Sequence, residues 1–366
     1  MAPIFKYVNF RPFNSGSILA AVLGMIALAS FVVLAFMQDA TDRIKYSGLF
    51  QNRDELQIEA YSLLDATIAV ISEIQEIDGG LYSPSQGWND PVGYAQIQLS
   101  DDLKFEINIE DETGKLSLTQ ATPLILNTLF EEIGIPLPDA EILTDSLLDW
   151  MDNDDLTRLN GAELDYYERQ SPPYKPADDS LKSLSELFLI QDFDIFFLDD
   201  EGIPNYLYNQ FKDAISLYHN ELVNLNTANT LVHKVISRVD GHDSGPLYNF
   251  LIGEDKIPGS EDDQLINSRT HPYYPPALNP GISMANIYAH VLKITITVSR
   301  GDSSFLLSAI IKNHNVSSAI ENNSEEEESN NLEGNSSVKV TDEDNNAKLT
   351  LEYPFDILLL TENQRI

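Results

Sequence analysis

The feature that most constrains this chain is an uninterrupted apolar run near its amino terminus, Ser17 to Met37 (SILAAVLGMIALASFVVLAFM), which contains no charged residue. A helix rises about 1.5 Å per residue, so about 20 residues cross a hydrocarbon layer of about 30 Å. A cleaved secretory signal, the alternative, has a shorter apolar run that ends at small residues. Here Ala27-Leu28-Ala29 is followed by further apolar residues, and the run ends in Phe36-Met37-Gln38-Asp39. We interpret the run as a retained membrane anchor.

The charges that flank this run predict its orientation. Lys6 and Arg11 precede it without any acidic residue, whereas Asp39 and Asp42 follow it. Because positive charge favours the cytoplasmic side of a membrane, the short amino end is expected in the cytoplasm and the bulk of the chain outside.

The composition excludes several classes of function. The 366 residues carry a net charge of −36, and such a surface repels the phosphates of nucleic acid. There is no cysteine, which removes disulfides and thiolate metal sites. The six histidines form no HExxH pattern, and no nucleophile elbow or phosphate-binding loop is present. With 58 acidic residues, chance pairs of carboxylates are too common to indicate a glycosidase.

The hydrophobic pattern predicts an α+β fold, in which a long amino-terminal helix packs on an antiparallel sheet. Apolar residues recur at helical spacing to about residue 77, and strands are expected at Tyr94–Leu99 and Lys104–Ile109. A hairpin is expected at Val291–Ser299 and Ser304–Lys312, with last strands at Lys348–Tyr353 and Phe355–Leu360. Between them lie helix-like segments, including one at Thr230–Val239 that follows an apparent helix start at Asn226. The predicted division is 1–16 leader, 17–37 membrane helix, 38–118 first part of the sheet domain, 119–280 inserted helical domain, and 281–366 carboxyl-terminal strands with a disordered acidic loop at 317–346.

Four aspartates crowd into a short segment that follows a helix-like stretch. These are Asp149, Asp152, Asp154 and Asp155, and Glu163 lies a few residues later. Like charges at this density repel one another unless a cation lies among them, and oxygen donors on a loop suit Ca²⁺. The segment therefore predicts a calcium site; the alternative is that Asp149 caps a helix and the other carboxylates face water.

Residues 145–190 resemble the pattern of K-type minor pseudopilins of the type II secretion system, within the type IV pilin superfamily. Two shorter stretches, Glu110–Leu118 (EDETGKLSL) and Leu222–Ala228 (LVNLNTA), match the same pattern in order. The matching residues in the main block are Asp149, Trp150, Asp152, Asp154, Gly161, Ala162, Glu163, Tyr166, Tyr167, Pro173, Tyr174, Ser183, Glu186 and Leu187.

The resemblance implies a non-enzymatic assembly protein of the bacterial inner membrane with its bulk in the periplasm. Prepilin peptidase would cut between Gly16 and Ser17, and Ser17 would then be methylated. The fifth mature position, usually Glu, is Ala21 here, which implies a place at the filament tip. The inserted domain would be of the helix–hairpin–helix or SAM-like kind, and Ca²⁺ would bind the acidic segment.

The implied partners are the I- and J-type minor pseudopilins, prepilin peptidase, the inner-membrane secretion platform, and exported cargo or the outer-membrane secretin. Nucleic acid is not among them. The alternative hypothesis is a membrane-tethered periplasmic hydrolase or a domain that binds carbohydrate or cations.

Overall fold

The computed structural model describes residues 15–243, 245–256, 262–274, 284–313 and 355–363; for residues 15–18 and 42–52 it describes the backbone alone. The predicted acidic loop at 317–346 and the strand predicted at Lys348–Tyr353 lie outside the described residues. The described α-helices are α1 (Ser15–Asp78), α2 (Pro91–Tyr94), α3 (Pro123–Glu132), α4 (Leu137–Met151), α5 (Leu164–Tyr167), α6 (Phe193–Phe197), α7 (Tyr206–Ala214), α8 (Thr230–Asp240) and α9 (Gly245–Leu251). The described strands are β1 (Lys104–Asp111), β2 (Leu116–Ser117), β3 (Ile215–Ser216), β4 (Val223–Asn224), β5 (Ala285–Asn286), β6 (Val291–Arg300), β7 (Ser303–Asn313) and β8 (Phe355–Glu362).

Helix α1 is one continuous element of 64 residues with two different halves. Its stretch Leu19–Thr41 has a mean hydropathy of 2.6 and is long and apolar enough to cross a membrane. Its second half carries a buried apolar stripe at spacings of three and four, as predicted. The stripe consists of Leu56, Ala60, Leu63, Leu64, Ile68, Ile71 and Ile74.

The second half of α1 packs on an antiparallel sheet with the strand order β1-β6-β7-β8. The predicted hairpin is confirmed as β6 and β7, whose turn places Gly301 at a φ of +58°, a conformation that glycine adopts without steric cost. Strand β1 pairs with β6 from Lys104 opposite Ser299 to Asp111 opposite Leu292. Alternate residues of β6 and β7 therefore face α1 and form one core with its stripe.

The helical elements α3 to α9 lie between β1 and β6 in the chain and have a core of their own. At its centre Phe130 stacks on Phe211, with ring centroids 5.5 Å apart, and contacts Phe193 and Phe197 edge-on or tilted. Two short parallel pairs, β2 with β3 and β4 with β5, join distant parts of this region.

The predicted α+β class, with a long amino-terminal helix on an antiparallel sheet, is confirmed. One predicted segment is wrong. The segment predicted as a strand at Tyr94–Leu99 begins in the helical turn α2 instead, because Asp90 accepts a hydrogen bond from the backbone of Gly93 and Pro91 occupies the first helical position. The helix predicted at Thr230–Val239 is confirmed as α8 (Thr230–Asp240), although its cap is Asn229, which accepts a bond from Val232 N, and not Asn226. The SAM-like character of the helical region stays a prediction.

Candidate functional site

The predicted processing point lies in the first turn of α1. Gly16 and Ser17 follow Ser15, at which the helix begins. Ala21, at the position where a pilin usually carries Glu, is exposed one turn further along. Cleavage after Gly16 and methylation of Ser17 stay predictions.

The acidic segment is organised around an arginine that sequence reasoning overlooked. Asp149 lies in the last turns of α4 with its side chain fully buried. Arg158 Nη1 lies 2.5 Å from Asp149 Oδ1 and 2.5 Å from Asp152 Oδ2, and the backbone nitrogen of Arg158 donates to Asp149 Oδ2 at 3.1 Å. A guanidinium therefore stands between two of the carboxylates that were predicted to surround a metal ion.

Other hydrogen bonds hold the loop in this conformation. Asp145 Oδ2 accepts bonds from the backbone and the side chain of Asn160, both at 3.1 Å. Gly161 must be glycine here, since a Cβ at this position would overlap Oδ2 of Asp149. Asp154 accepts a bond from Leu156 N at 2.8 Å, and both Asp154 and Asp155 are exposed.

Glu163 is a buried member of the predicted ligand set, and its carboxylate has no local hydrogen-bond partner among the described residues. The residue is 4% exposed, and both of its carboxylate oxygens are unpartnered in this way. Burial, followed by repulsion from Asp149 and Asp152, raises the pKa of Glu163 to about 7. A cation beside this carboxyl group would favour its ionised form.

These residues fit a calcium ion only in part. The two oxygens of Glu163 have no partner, which suits a hard cation, and Asp149 and Asp152 would be the nearest further ligands. However, Arg158 is already paired with both of these aspartates and offsets one of their two charges. Within the part of the chain that the structure describes, no three His, Asp or Glu side chains are arranged to hold a metal ion. Calcium binding by Asp149, Asp152, Asp154, Asp155 and Glu163 therefore stays a prediction, and it requires Arg158 to move.

The buried aromatic residues of the main matching block are structural. Trp150 packs edge-on against Tyr167, with ring centroids 5.0 Å apart, and against Tyr174. The hydroxyl of Tyr174 donates to Leu189 O at 2.8 Å. Ser183 and Glu186 form the predicted capping box, here at the start of a short 3₁₀ helix.

A second polar centre, also missed from sequence, joins the sheet to the helical region. Asp111, at the end of β1, is buried, and its Oδ2 accepts bonds from Asn224 Nδ2 at 2.8 Å and Thr227 Oγ1 at 2.6 Å. Its Oδ1 accepts from the backbone of Thr113 at 2.9 Å and from the hydroxyl of the same residue. Burial raises the pKa of Asp111 to about 6, although all four hydrogen bonds favour the ionised form.

The junction residues come from the two shorter stretches that matched in sequence. Asn224 also donates to Tyr82 O at 2.9 Å, and Thr113 Oγ1 accepts a bond from His290 N at 3.1 Å. The buried Asp111 carboxylate and its partners Asn224 and Thr113 thus link the segment after α1, the end of β1, the helical region and the residue before β6. The sequence motifs indicated that Glu110–Leu118 and Leu222–Ala228 are important, but they did not predict that these two stretches contact each other.

A cleft of about 640 Å³ opens beside this junction. Its wall includes Glu110, Asp213, Tyr248 and Lys115, and the last of these is bound to Glu112 at 2.7 Å.

Three histidines of the chain are buried elsewhere. His219 lies against Glu221 N, His233 against Leu225 O and His290 against Asn286. Burial lowers the pKa of each, to about 4 for His219 and His233.

Comparison with known proteins gives the same assignment as the residues. Residues 104–197 match the family model of the type II secretion system protein K, first domain. This stretch runs from β1 to the end of α6 and is similar to that domain of protein K. This confirms the resemblance found in the sequence.

A curated relative and a solved structure agree with the domain match. The type II secretion system protein K of Klebsiella pneumoniae is 30% identical over 193 residues, which are 48% of this chain and 58% of the relative. The match thus spans little more than half the length of that protein K. The crystal structure of the GspK-GspI-GspJ complex from the enterotoxigenic Escherichia coli type 2 secretion system matches with a TM-score of 0.57 and 13% identity, covering 88% of this chain and 100% of the matched chain. At that identity the likeness concerns the fold.

Proposed function

We propose that this chain is a minor pseudopilin of a type II secretion system, a membrane-anchored structural subunit that supports protein export across the outer membrane. The observation that carries the proposal is α1. One unbroken helix provides an exposed apolar stretch at Leu19–Thr41 and, further along, the buried stripe that forms the core of the sheet domain. Such a helix anchors the subunit in the membrane and, because it is continuous, connects that anchor directly to the sheet domain.

The place of the subunit is the tip of the pseudopilus. The helical region between β1 and β6 enlarges the outer part of the subunit without interrupting α1 or the sheet. Ala21 supplies no carboxylate for the amino terminus of a subunit above it. The amino end lies in the cytoplasm, the bulk in the periplasm, and the partners are the I- and J-type minor pseudopilins, the secretion platform, and cargo or the secretin.

The subunit acts by packing rather than by catalysis. The buried histidines hold backbone or side-chain partners within the fold, and Lys115 in the wall of the cleft is paired with Glu112. These arrangements support a structural role. A tethered hydrolase or a carbohydrate-binding domain remains the competing hypothesis, and its substrate would enter the cleft.

The intact mass of the full chain purified from membranes tests the proposal. We expect the loss of residues 1–16 and the addition of one methyl group. Gly16→Leu should leave the leader in place, whereas Gly24→Leu, a glycine in the same helix with open space around its Cα, should be processed normally. An intact terminus, or a cut at the outer end of the apolar run, would support the competing hypothesis.

Co-purification provides the second measurement. The mature chain, extracted from membranes in mild detergent, should bring with it the I- and J-type minor pseudopilins of the same organism. Their absence would contradict the assignment.

A further inference from the structure

A cleft remains open where the helical region meets the sheet domain, beside the buried Asp111, and we call it the junction cleft. Its volume is about 640 Å³, within the range of about 300–1,000 Å³ that is typical of ligand pockets. It is lined by Ser85 after α1, by Gly114 after β1 and by Tyr248 of α9. The walls are closely packed, since a Cβ on Gly114 would lie 2.5 Å from Thr227 Oγ1. The cleft is therefore shaped by close contacts and not by loose packing.

The charges that line the junction cleft are mainly negative. Among the described lining residues the one basic side chain is Lys115, whose Nζ lies 2.7 Å from Glu112 Oε1 and 3.7 Å from Glu110 Oε2. Asp213 and Asp263 line the cleft as well. Burial opposes the charge of Lys115, but three carboxylates outweigh it and raise the pKa of this lysine: those of Glu112, Glu110 and Asp213. The cleft therefore holds more negative charge than its own lysine offsets.

Asp213 presents a carboxylate that the fold does not use. The residue is exposed, and its side chain has no hydrogen bond or salt bridge within the part of the chain that the structure describes. Its position is nevertheless fixed, because its backbone oxygen accepts a bond from Asn229 Nδ2 at 2.9 Å. Glu110 accepts a bond from Asn108 through Oε1, at 2.8 Å, and its Oε2 lies 3.7 Å from Lys115 Nζ. These two carboxylates can therefore accept bonds from a further cation.

An anionic ligand is disfavoured in the junction cleft. The first turn of α8 borders the cleft, and the amino end of a helix attracts anions in general. However, Asn229 already accepts the bond from Val232 N at 2.9 Å, and Lys115 is already paired with Glu112. The charge that remains uncompensated is that of the carboxylates, and a cationic ligand complements it.

Apolar surface and one hydroxyl group distinguish the junction cleft from a simple metal site. Tyr248, Leu251 and Ile252 contribute to its lining. Lysine and arginine side chains have apolar stems that pack on such surface, and aromatic rings attract their charged heads. The hydroxyl oxygen of Tyr248 accepts a bond from Thr230 Oγ1 at 2.8 Å, and its own proton has no acceptor among the described residues. That proton can be donated to the carbonyl group of a peptide, whereas a metal ion would use neither feature.

We propose that the junction cleft binds a short peptide segment through a lysine or arginine side chain. The cationic head pairs with Asp213 and Glu110, the apolar stem lies against Tyr248, and the tyrosine hydroxyl donates to a backbone carbonyl of the segment. Because the cleft lies between the sheet domain and the helical region, the bound segment contacts both. This adds a binding site to the proposed structural role and does not depend on the place of the subunit in a filament.

Ligand-observed NMR with the full chain in detergent micelles tests the proposal. The probes are pentapeptides with a central arginine, glycine at each end, and alanine, leucine, phenylalanine or serine between them; a matched set has glutamine in place of arginine. We expect the tightest arginine peptides to bind about fivefold more tightly than their glutamine counterparts, as a partly exposed ion pair allows. Asp213→Asn should lower this ratio to about twofold, whereas Asp200→Asn, at an exposed position outside the cleft, should leave it unchanged.

The second variant is needed because a chain with a net charge of −36 attracts any cationic peptide. Both variants should melt at the temperature of the wild type, since the Asp213 side chain has no partner among the described residues. Three results would overturn the proposal: no saturable binding of any arginine peptide, equal binding of the arginine and glutamine sets, or equal losses in the two variants. The proposed function is tested separately by intact mass and co-purification, so any of these results would remove the binding site alone.

Discussion

The guanidinium group of Arg158 bridges the buried carboxylate of Asp149 and the half-buried carboxylate of Asp152, at 2.5 Å from each. The side chain of Arg158 thereby connects the loop that follows α4 back to the last turn of that helix. It also supplies the positive charge that the crowded aspartates require. Three of the four predictions that follow concern this loop.

Removal of the arginine should destabilise the protein. Arg158→Met leaves Asp149 buried with only a backbone donor, and the loss of one partner of a buried pair is costly. We expect the free energy of unfolding to fall by about 2–3 kcal/mol. Chemical denaturation monitored by tryptophan fluorescence suits the measurement, since Trp150 adjoins Asp149. Arg169→Met, at an exposed position, serves as the control and should change stability by less than about 0.5 kcal/mol. Equal effects of the two variants would show that the bridge is not the cause.

The pH dependence of stability should reveal Glu163. Its pKa is raised to about 7 in the folded protein, so the folded state retains a proton that the unfolded state releases near the usual carboxyl value. The contribution of Glu163 to stability is therefore greatest below the pKa of the unfolded state, and it falls as the pH rises from that value to about 7. Glu163→Gln should remove this part of the slope and should melt at a higher temperature than the wild type above pH 7. The slope due to Asp111, whose pKa is about 6, remains in both proteins. If the melting temperatures of the wild type and Glu163→Gln changed in parallel from pH 5 to 8, Glu163 would not be the group responsible for this slope.

Calcium should act through the same carboxylate. If Ca²⁺ binds the acidic segment of the folded protein, it must stabilise that state and raise the melting temperature. At a free Ca²⁺ concentration of 100 times the dissociation constant, the free energy of unfolding rises by about 2.7 kcal/mol. Glu163→Gln should abolish the increase, and Mg²⁺ at the same concentration should produce little change, because it loses its water ligands reluctantly. Differential scanning calorimetry with and without a chelator provides the measurement. A wild-type melting temperature that does not respond to Ca²⁺ would eliminate the site.

The junction should depend on the amide of Asn224. This side chain donates to Asp111 at 2.8 Å and to Tyr82 O at 2.9 Å inside the protein, so Asn224→Ala removes the bond to Tyr82 O and one of the two bonds to Asp111 Oδ2. We expect a loss of about 2–4 kcal/mol, measured by urea denaturation. Asn108→Ala removes an exposed bond of the same length to Glu110 and should cost far less. In a double-mutant cycle, Asn224→Ala should have a smaller effect once Asp111 has been replaced by Ala.

The sequence predicted those parts of the fold that depend on local periodicity. The stripe from Leu56 to Ile74 defined the second half of α1, and alternation defined the hairpin that turns at Gly301. Local capping decided both the segment that was predicted wrongly, Tyr94–Leu99, and the cap of α8. Asn226 and Asn229 are both suitable caps, and the choice of Asn229 depends on tertiary contacts: Asn226 instead accepts a bond from Ile266 N at 2.7 Å, and its amide group donates to two backbone carbonyls.

The candidate sites depended on contacts that no local pattern contains. Asp111 meets Asn224 and Thr227 across more than a hundred residues of chain. Arg158 returns to Asp149 through an irregular loop, so the spacing of the two residues gives no signal. The acidic cluster was therefore visible in the sequence, whereas its counter-charge was visible only in the fold.

The order of the strands has a consequence for the biogenesis of the protein. Because β1 pairs with β6, and the whole helical region is synthesised between them, β1 emerges long before its partner and must wait with an unpaired edge. The helical region, whose core draws on residues almost wholly within that interval, can condense first. Synthesis in chain order then assembles the sheet last, so a chain arrested before β6 presents a finished helical region and a β1 strand with an open, aggregation-prone edge.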